Sequence, residues 1–245
     1  MSAGGSAPAT LAGACAVANA ECLSGLVIHQ LAVPGAPFVY GANVSVLDMK
    51  TLAFVYGGPE LPITNAAFAE MARHYRLPSW DMAGASDAKT MDAQAGLEAM
   101  LSVVMAVLSR GNLVHDVGYL ESGLTSCMEM VTVCDEMIGM ARMLFRGIPM
   151  DAEHFALDLV DEVGIGGLFL ATEHTAKFFR TDHFLPNLLD RDNFTNWEAK
   201  GRSTLEDKAN ARVLEILASH RPAALPGPAQ DTIASVLERA SQRPS

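Results

Sequence analysis

The rhythm of apolar and polar positions changes several times along the chain, and each change marks an element. Residues 9–31 are apolar on nearly every side, with Asn19, Glu21 and His29 as the few interruptions, which predicts one long helix needing cover on most of its faces. Residues 37–41 (Pro-Phe-Val-Tyr-Gly) are β-favouring and punctuated by Pro34, Gly35 and Gly41, as expected of a short strand. A connection through Asp48 and Met49 and a second short apolar run, 52–57, lead to an amphipathic helix over 59–75. Residues 79–83 form the next strand, which turns at Gly84 into a polar loop carrying Ser86, Asp87 and Lys89. The helix that follows runs over 92–109 and stops at Arg110-Gly111. A third strand (112–118), a polar loop (119–123) and a methionine-rich helix (126–146) closing at Gly147 repeat the pattern.

Strand, loop and helix thus recur three times at a spacing of about 35 to 40 residues, the signature of βα units in a parallel sheet. Right-handed crossovers would bring the loops after the strands to one face, where α/β proteins place their chemistry. That face would carry Tyr40, Gly41, Asp81, Ser86, Asp87, Lys89, His115, Asp116, Tyr119 and Glu121. His115 and Asp116 are consecutive in a strand, so only one of them is expected to face inward.

Beyond Gly147 the repeat is lost. A helix with an acidic start is expected over 151–163, ending at Gly164-Ile-Gly-Gly167, and a helical segment over 168–179 with His174 as a candidate for the loop face. Residues 180–197 read as a wrapping loop, 204–220 as a charged amphipathic helix, and 221–230 as a Pro/Ala-rich linker to a short final helix. The expected organisation is therefore βα units over 1–150, a helical extension over 151–221, and a linker with tail helix over 222–245.

Composition narrows the partners. With 245 residues, half of them apolar, the chain can fill a sizeable core, and a net charge of −11 with 17 Lys and Arg disfavours nucleic acid. The cysteines at 15, 22, 127 and 134 are paired at helical spacing in apolar surroundings, with no CxxC and no metal-ligand spacing, so core thiols in a reducing cytoplasm are expected. No uninterrupted apolar stretch reaches bilayer length, and neither membrane insertion nor a resident metal is expected.

Several stretches together resemble the trimethylamine methyltransferase family: residues 34–41, Leu77-Pro78, Ser86-Asp-Ala-Lys89 with Asp92-Ala-Gln-Ala-Gly96, Leu120-Glu-Ser-Gly123, and Glu162-Val-Gly-Ile-Gly-Gly167 with His174-Thr175. The likeness follows the right order over nearly the whole chain. It implies an α/β barrel of the TIM type, of which this sequence would supply a C-terminal half followed by C-terminal helices. It also implies transfer of a methyl group from a methylated amine to the cobalt of a corrinoid held on a separate protein, with no cofactor bound tightly by the chain itself.

A quaternary ammonium leaves as a neutral amine, whereas a tertiary amine must first be activated; family members acting on trimethylamine look to pyrrolysine for that. This sequence holds only standard residues, so a quaternary amine such as a betaine is favoured. Aromatic faces and carboxylates would hold such a cation. Asp87, Glu121 and His115 are the candidate catalytic residues, and Tyr40, Trp80, Asp81, Ser86, Lys89, Tyr119 and His174 the candidates for substrate binding. If the substrate carries a carboxylate, Lys89 or His115 would pair with it. A homo-oligomer is expected, since a half-barrel leaves strand edges open. The alternative is a truncated, inactive family member acting as an interaction module; a Schiff-base lyase through Lys89 ranks third, because a lysine beside two aspartates is a poor free amine.

Overall fold

A computed structural model describes residues 1–242, so the end of the expected tail segment, 243–245, lies outside the described residues. The chain divides into two compact units, Met1–Val213 and Leu214–Ser245.

The first unit opens with β1 (Ser2–Ala3), which pairs in parallel with β2 (Ser45–Val46). Between them lies α1 (Leu11–Ala32), capped by the Thr10 hydroxyl. At 22 residues with Glu21 as its single formal charge, α1 is long and apolar enough to cross a membrane by length and composition, which corrects the expectation that no such stretch exists. One side of it packs in the protein: Ala14 and Ala18 are buried, and the Asn19 carbonyl accepts from the Tyr40 hydroxyl at 2.7 Å.

The βα repeat follows as expected in its helices. These are α2 (Glu60–Tyr75), α3 (Ala93–Ser109) and α4 (Met128–Arg146), with α2 packed on α3 and α3 on α4. Helices α3 and α4 meet through small and flexible side chains, with Ala95, Ala99, Val103 and Ala106 against Met130, Val133, Cys134 and Met137, which lets their backbones approach closely. Asp92 caps α3 by accepting from the amides of Gln94 and Ala95.

The strands are shorter than the sequence suggests. β3 (Trp80–Met82) pairs in parallel with β4 (Leu113–His115), and the expected strand over 37–41 contributes a single parallel bridge, Tyr40 to Ser79. This places three chain passages side by side in parallel, with β3 in the middle. Gly41 makes the approach possible, because a Cβ there would collide with the Trp80 carbonyl oxygen. Residues 119–126 form an antiparallel hairpin of β5 (Tyr119–Leu120) and β6 (Thr125–Ser126) instead of an open loop. Among the described residues the sheet does not close: the fold is mixed, mainly helical, with short parallel strands, and is that of a partial α/β arrangement.

After Gly147 the expected helix over 151–163 is broken into α5 (Ala152–Phe155) and α6 (Leu157–Val163), because Ala156 adopts the left-handed conformation, φ 49°. α7 (Glu173–Asp182) starts at a Thr172 cap, and the expected wrapping segment contains α8 (Phe194–Ala199). The loop before α8 is clasped to the core by Glu136 of α4. This carboxylate is buried and accepts the amides of Asn187, Leu188 and Leu189 at 3.0 to 3.3 Å. α9 (Leu205–Ser219) buries Ala209 and Val213, and the division between the two units falls within it. In the second unit, α10 (Gly227–Ser241) begins at a Pro-rich turn and buries none of its residues.

Candidate functional site

The register fixes which side chains share a face. In parallel pairs, residues opposite one another point the same way, and alternate residues point oppositely. Tyr40 is paired with Ser79, and Asp81 with Val114, so these four side chains share one face of the three passages. Trp80, Met82, Leu113 and His115 share the other.

The first of these faces lies under the helices. Tyr40 is fully buried, packed edge-on to Tyr75 and bonded to Asn19, and burial raises its phenol well above the ordinary range. Asp81 is equally buried, accepts the Ser79 hydroxyl at 2.9 Å, and leaves its other oxygen without a partner among the described residues. Burial raises its carboxyl, with the Ser79 hydroxyl, Arg73 and His115 pulling it the other way. The structure therefore separates Tyr40 and Asp81 from the loop face on which sequence reasoning gathered them. The two-residue alternation was legible; which of its two sets faces the helices was not.

The opposite face is open at Trp80 and Leu113, while Met82 on the same face is buried against Leu61 of α2. Trp80 is 48% exposed, and its ring meets the imidazole of His115 edge-on at 5.1 Å. His115 Nδ1 lies 2.5 Å from Asp116 Oδ1. Asp116 lies just past the end of the strand with φ 72°, and its carboxylate meets the ring of its own neighbour.

Above the strand ends, three loops are locked together by carboxylates. Asp87 accepts the amides of Tyr56 at 3.0 Å and Gly57 at 2.9 Å and the hydroxyl of Ser122 at 2.6 Å, so one side chain ties all three loops. Glu98 of α3 accepts the Ser86 hydroxyl at 2.5 Å and the Asp87 amide at 2.8 Å. Ser86 is fully buried and donates its own amide to the Tyr119 carbonyl. Glu121 is exposed; its amide donates to the Ala88 carbonyl and its carboxylate accepts from Thr125. Asp87, Ser86, Tyr119 and Glu121 are thus brought together, with the first two engaged in holding the loops.

Two candidates lie elsewhere. Lys89 donates to the Asp87 carbonyl and lines a groove of about 690 Å³ with Met128, Glu129 and Asn210, away from Trp80. His174 sits on α7, stacked on Phe178 and bonded to the Glu153 carbonyl, and touches none of the loops.

Tyr56 was missed. It packs with Leu61, Met82 and Tyr119 under the loop tie, and burial, followed by the charges of Asp116 and Asp87, raises its phenol so that it keeps its proton. A signal existed: Tyr56-Gly57 repeats the Tyr40-Gly41 pairing at the end of an apolar run. Among the described residues no three His, Cys, Asp or Glu side chains gather as metal ligands.

The family model for trimethylamine methyltransferase matches residues 1–243. The chain belongs to the trimethylamine methyltransferase family. It is 38% identical over 218 residues to the trimethylamine methyltransferase of Methanosarcina barkeri, covering 89% of this chain and 44% of that protein. It is 37% identical over 224 residues to the glycine betaine methyltransferase of Desulfitobacterium hafniense, covering 91% of this chain and 47% of the relative. A trimethylamine methyltransferase of Desulfitobacterium hafniense matches over 96% of this chain at 34% identity. The chain spans about half the length of these curated relatives.

Proposed function

We propose that this chain takes part in moving a methyl group from a methylated amine, and that the amine is quaternary, such as a betaine. The observation that carries the reading is an exposed Trp80 beside His115, in a chain matched over nearly all its length by the methyltransferase family. A methylated ammonium spreads its charge over its methyl groups, and an indole face attracts it without hydrogen bonds. Quaternary substrates need no proton to leave, which suits a chain of standard residues. In this reading the acceptor is the cobalt of a corrinoid carried by a separate protein, which when bound supplies a strongly nucleophilic metal centre. The work left to the chain's residues is to orient the methyl carbon outward and keep water from it. Four free thiols suit a reducing compartment.

Replacing Trp80 with Ala is expected to weaken glycine betaine binding about tenfold, the scale of a desolvated cation–π contact. The measurement is calorimetric binding, followed by methyl-cobalt absorbance with a reduced corrinoid protein. Unchanged binding and transfer would overturn the reading. A second reading, an inactive interaction module, predicts no methyl transfer in the same assay.

A further inference from the structure

We propose that Asp116 is a positioning residue whose carboxylate holds His115 as the Nδ1–H tautomer, so that His115 Nε2 receives the carboxylate of a zwitterionic onium substrate. This rests on the proposed function and narrows it from methylated amines in general to those that carry a carboxylate. Three observations support it.

The first is geometric. Asp116 Oδ1 is 2.5 Å from Nδ1, a contact that an ionised carboxylate makes only to an Nδ1–H, and Nε2 has no hydrogen-bond partner among the described residues. In a neutral ring Nε2 is then a bare acceptor, and after taking up a proton it becomes a charged donor. The second is conformational. Asp116 holds φ 72° before β5, and Glu121 and Ser122 hold 51° and 55° between β5 and β6, so three non-glycine residues around this hairpin occupy the left-handed region. Such conformations persist where the surroundings over-determine them, and here the outcome is a carboxylate folded back onto its own neighbour. The third is placement. His115 is on the same strand face as the exposed Trp80, with ring centroids 5.1 Å apart, so one ligand reaches both. The other cation considered for a substrate carboxylate, Lys89, is held by the Asp87 carbonyl in a separate groove.

The chemistry that fits is a small onium with a carboxylate one or two carbons away. Its methyl groups would lie on Trp80 and its carboxylate would accept from Nε2–H. No covalent bond is made or broken in this step. In the bound complex Nε2 carries the proton it donates to the substrate carboxylate, supplied by solvent, and the Asp116 side chain accepts from Nδ1–H behind the ring.

The test is ¹⁵N NMR of histidine-labelled full-length chain, with His115→Gln identifying the resonance, during titration with glycine betaine and, separately, choline. Expected are the Nδ1–H tautomer in the neutral ring, a shift of the Nε2 signal with glycine betaine and none with choline, and glycine betaine binding about tenfold weaker in His115→Gln, the scale of one charge-assisted hydrogen bond. Asp116→Gly accepts the left-handed backbone without its carboxylate, and should lose the tautomer preference and most of the affinity. Asp116→Asn keeps an acceptor oxygen and should retain the tautomer. Equal binding of glycine betaine and choline, or undiminished binding by His115→Gln, overturns the proposal while leaving the methylated-amine reading intact. If neither compound binds, both fall.

Discussion

The helices of the βα repeat and the segment that follows them handle polar and apolar groups in opposite ways. Through α4, carboxylates are turned inward: Asp87 and Glu98 tie loops, Glu136 clasps a distant segment, and Asp81 is buried under α2. From 147 to 182 no residue is buried, and Ile148, Ile165, Leu168 and Leu170 stand exposed while α5 and α7 are held by local Asp151 and Thr172 caps. The first region is therefore specified by long-range hydrogen bonds that fix loop against loop. The second is held by local caps and by exposed polar contacts between α5 and α7, such as His174 to the Glu153 carbonyl and the Lys177–Glu153 pair, with no buried core beneath them.

If that contrast is right, the largest loss of stability should come from Glu136, although it lies far from the candidate site. Glu136→Gln is expected to cost about 3 kcal/mol in urea denaturation, since the buried carboxylate is the charged acceptor for three amides, that of the buried Leu188 among them. Asp87→Asn should cost about 2 kcal/mol and, more tellingly, speed hydrogen exchange at the Tyr56 and Gly57 amides together. A change confined to one loop would show that the carboxylate does not join them. Tyr40→Phe removes the bond to Asn19 and should cost about 1 kcal/mol while leaving onium binding untouched; reduced binding would move Tyr40 back to the site.

The smallest effect concerns pH. Asp81 has its carboxyl raised by burial, so the folded protein holds this proton more tightly than the unfolded chain. Its contribution is fully present below the ordinary carboxylate range and is lost as pH rises through the folded value. The stability of Asp81→Asn, measured across mildly acidic to neutral pH, should therefore fall less with rising pH than that of the unaltered chain.

The same contrast explains what could be read in advance. The helices over 59–75, 92–109 and 126–146 were legible within a few residues because local period, caps and burial all agree there, as Asp92 and the Arg110-Gly111 stop illustrate. The break at Ala156 was not, because a left-handed alanine has no marker in sequence. Strand positions were legible, but the face of each side chain depends on where helices dock, which is how Tyr40 and Asp81 came to be grouped with Trp80. The role of Glu136 depends on amides some fifty residues away, and no local pattern encodes that; its position beside the apolar stripe of Val133, Cys134 and Met137 was the available hint.

Because one carboxylate, that of Asp87, is shared by segments from three successive repeats, none of those segments is a free module. Grafting a single loop from a relative with different substrate taste would break the shared knot, so altering selectivity by recombination would require exchanging all three as a set.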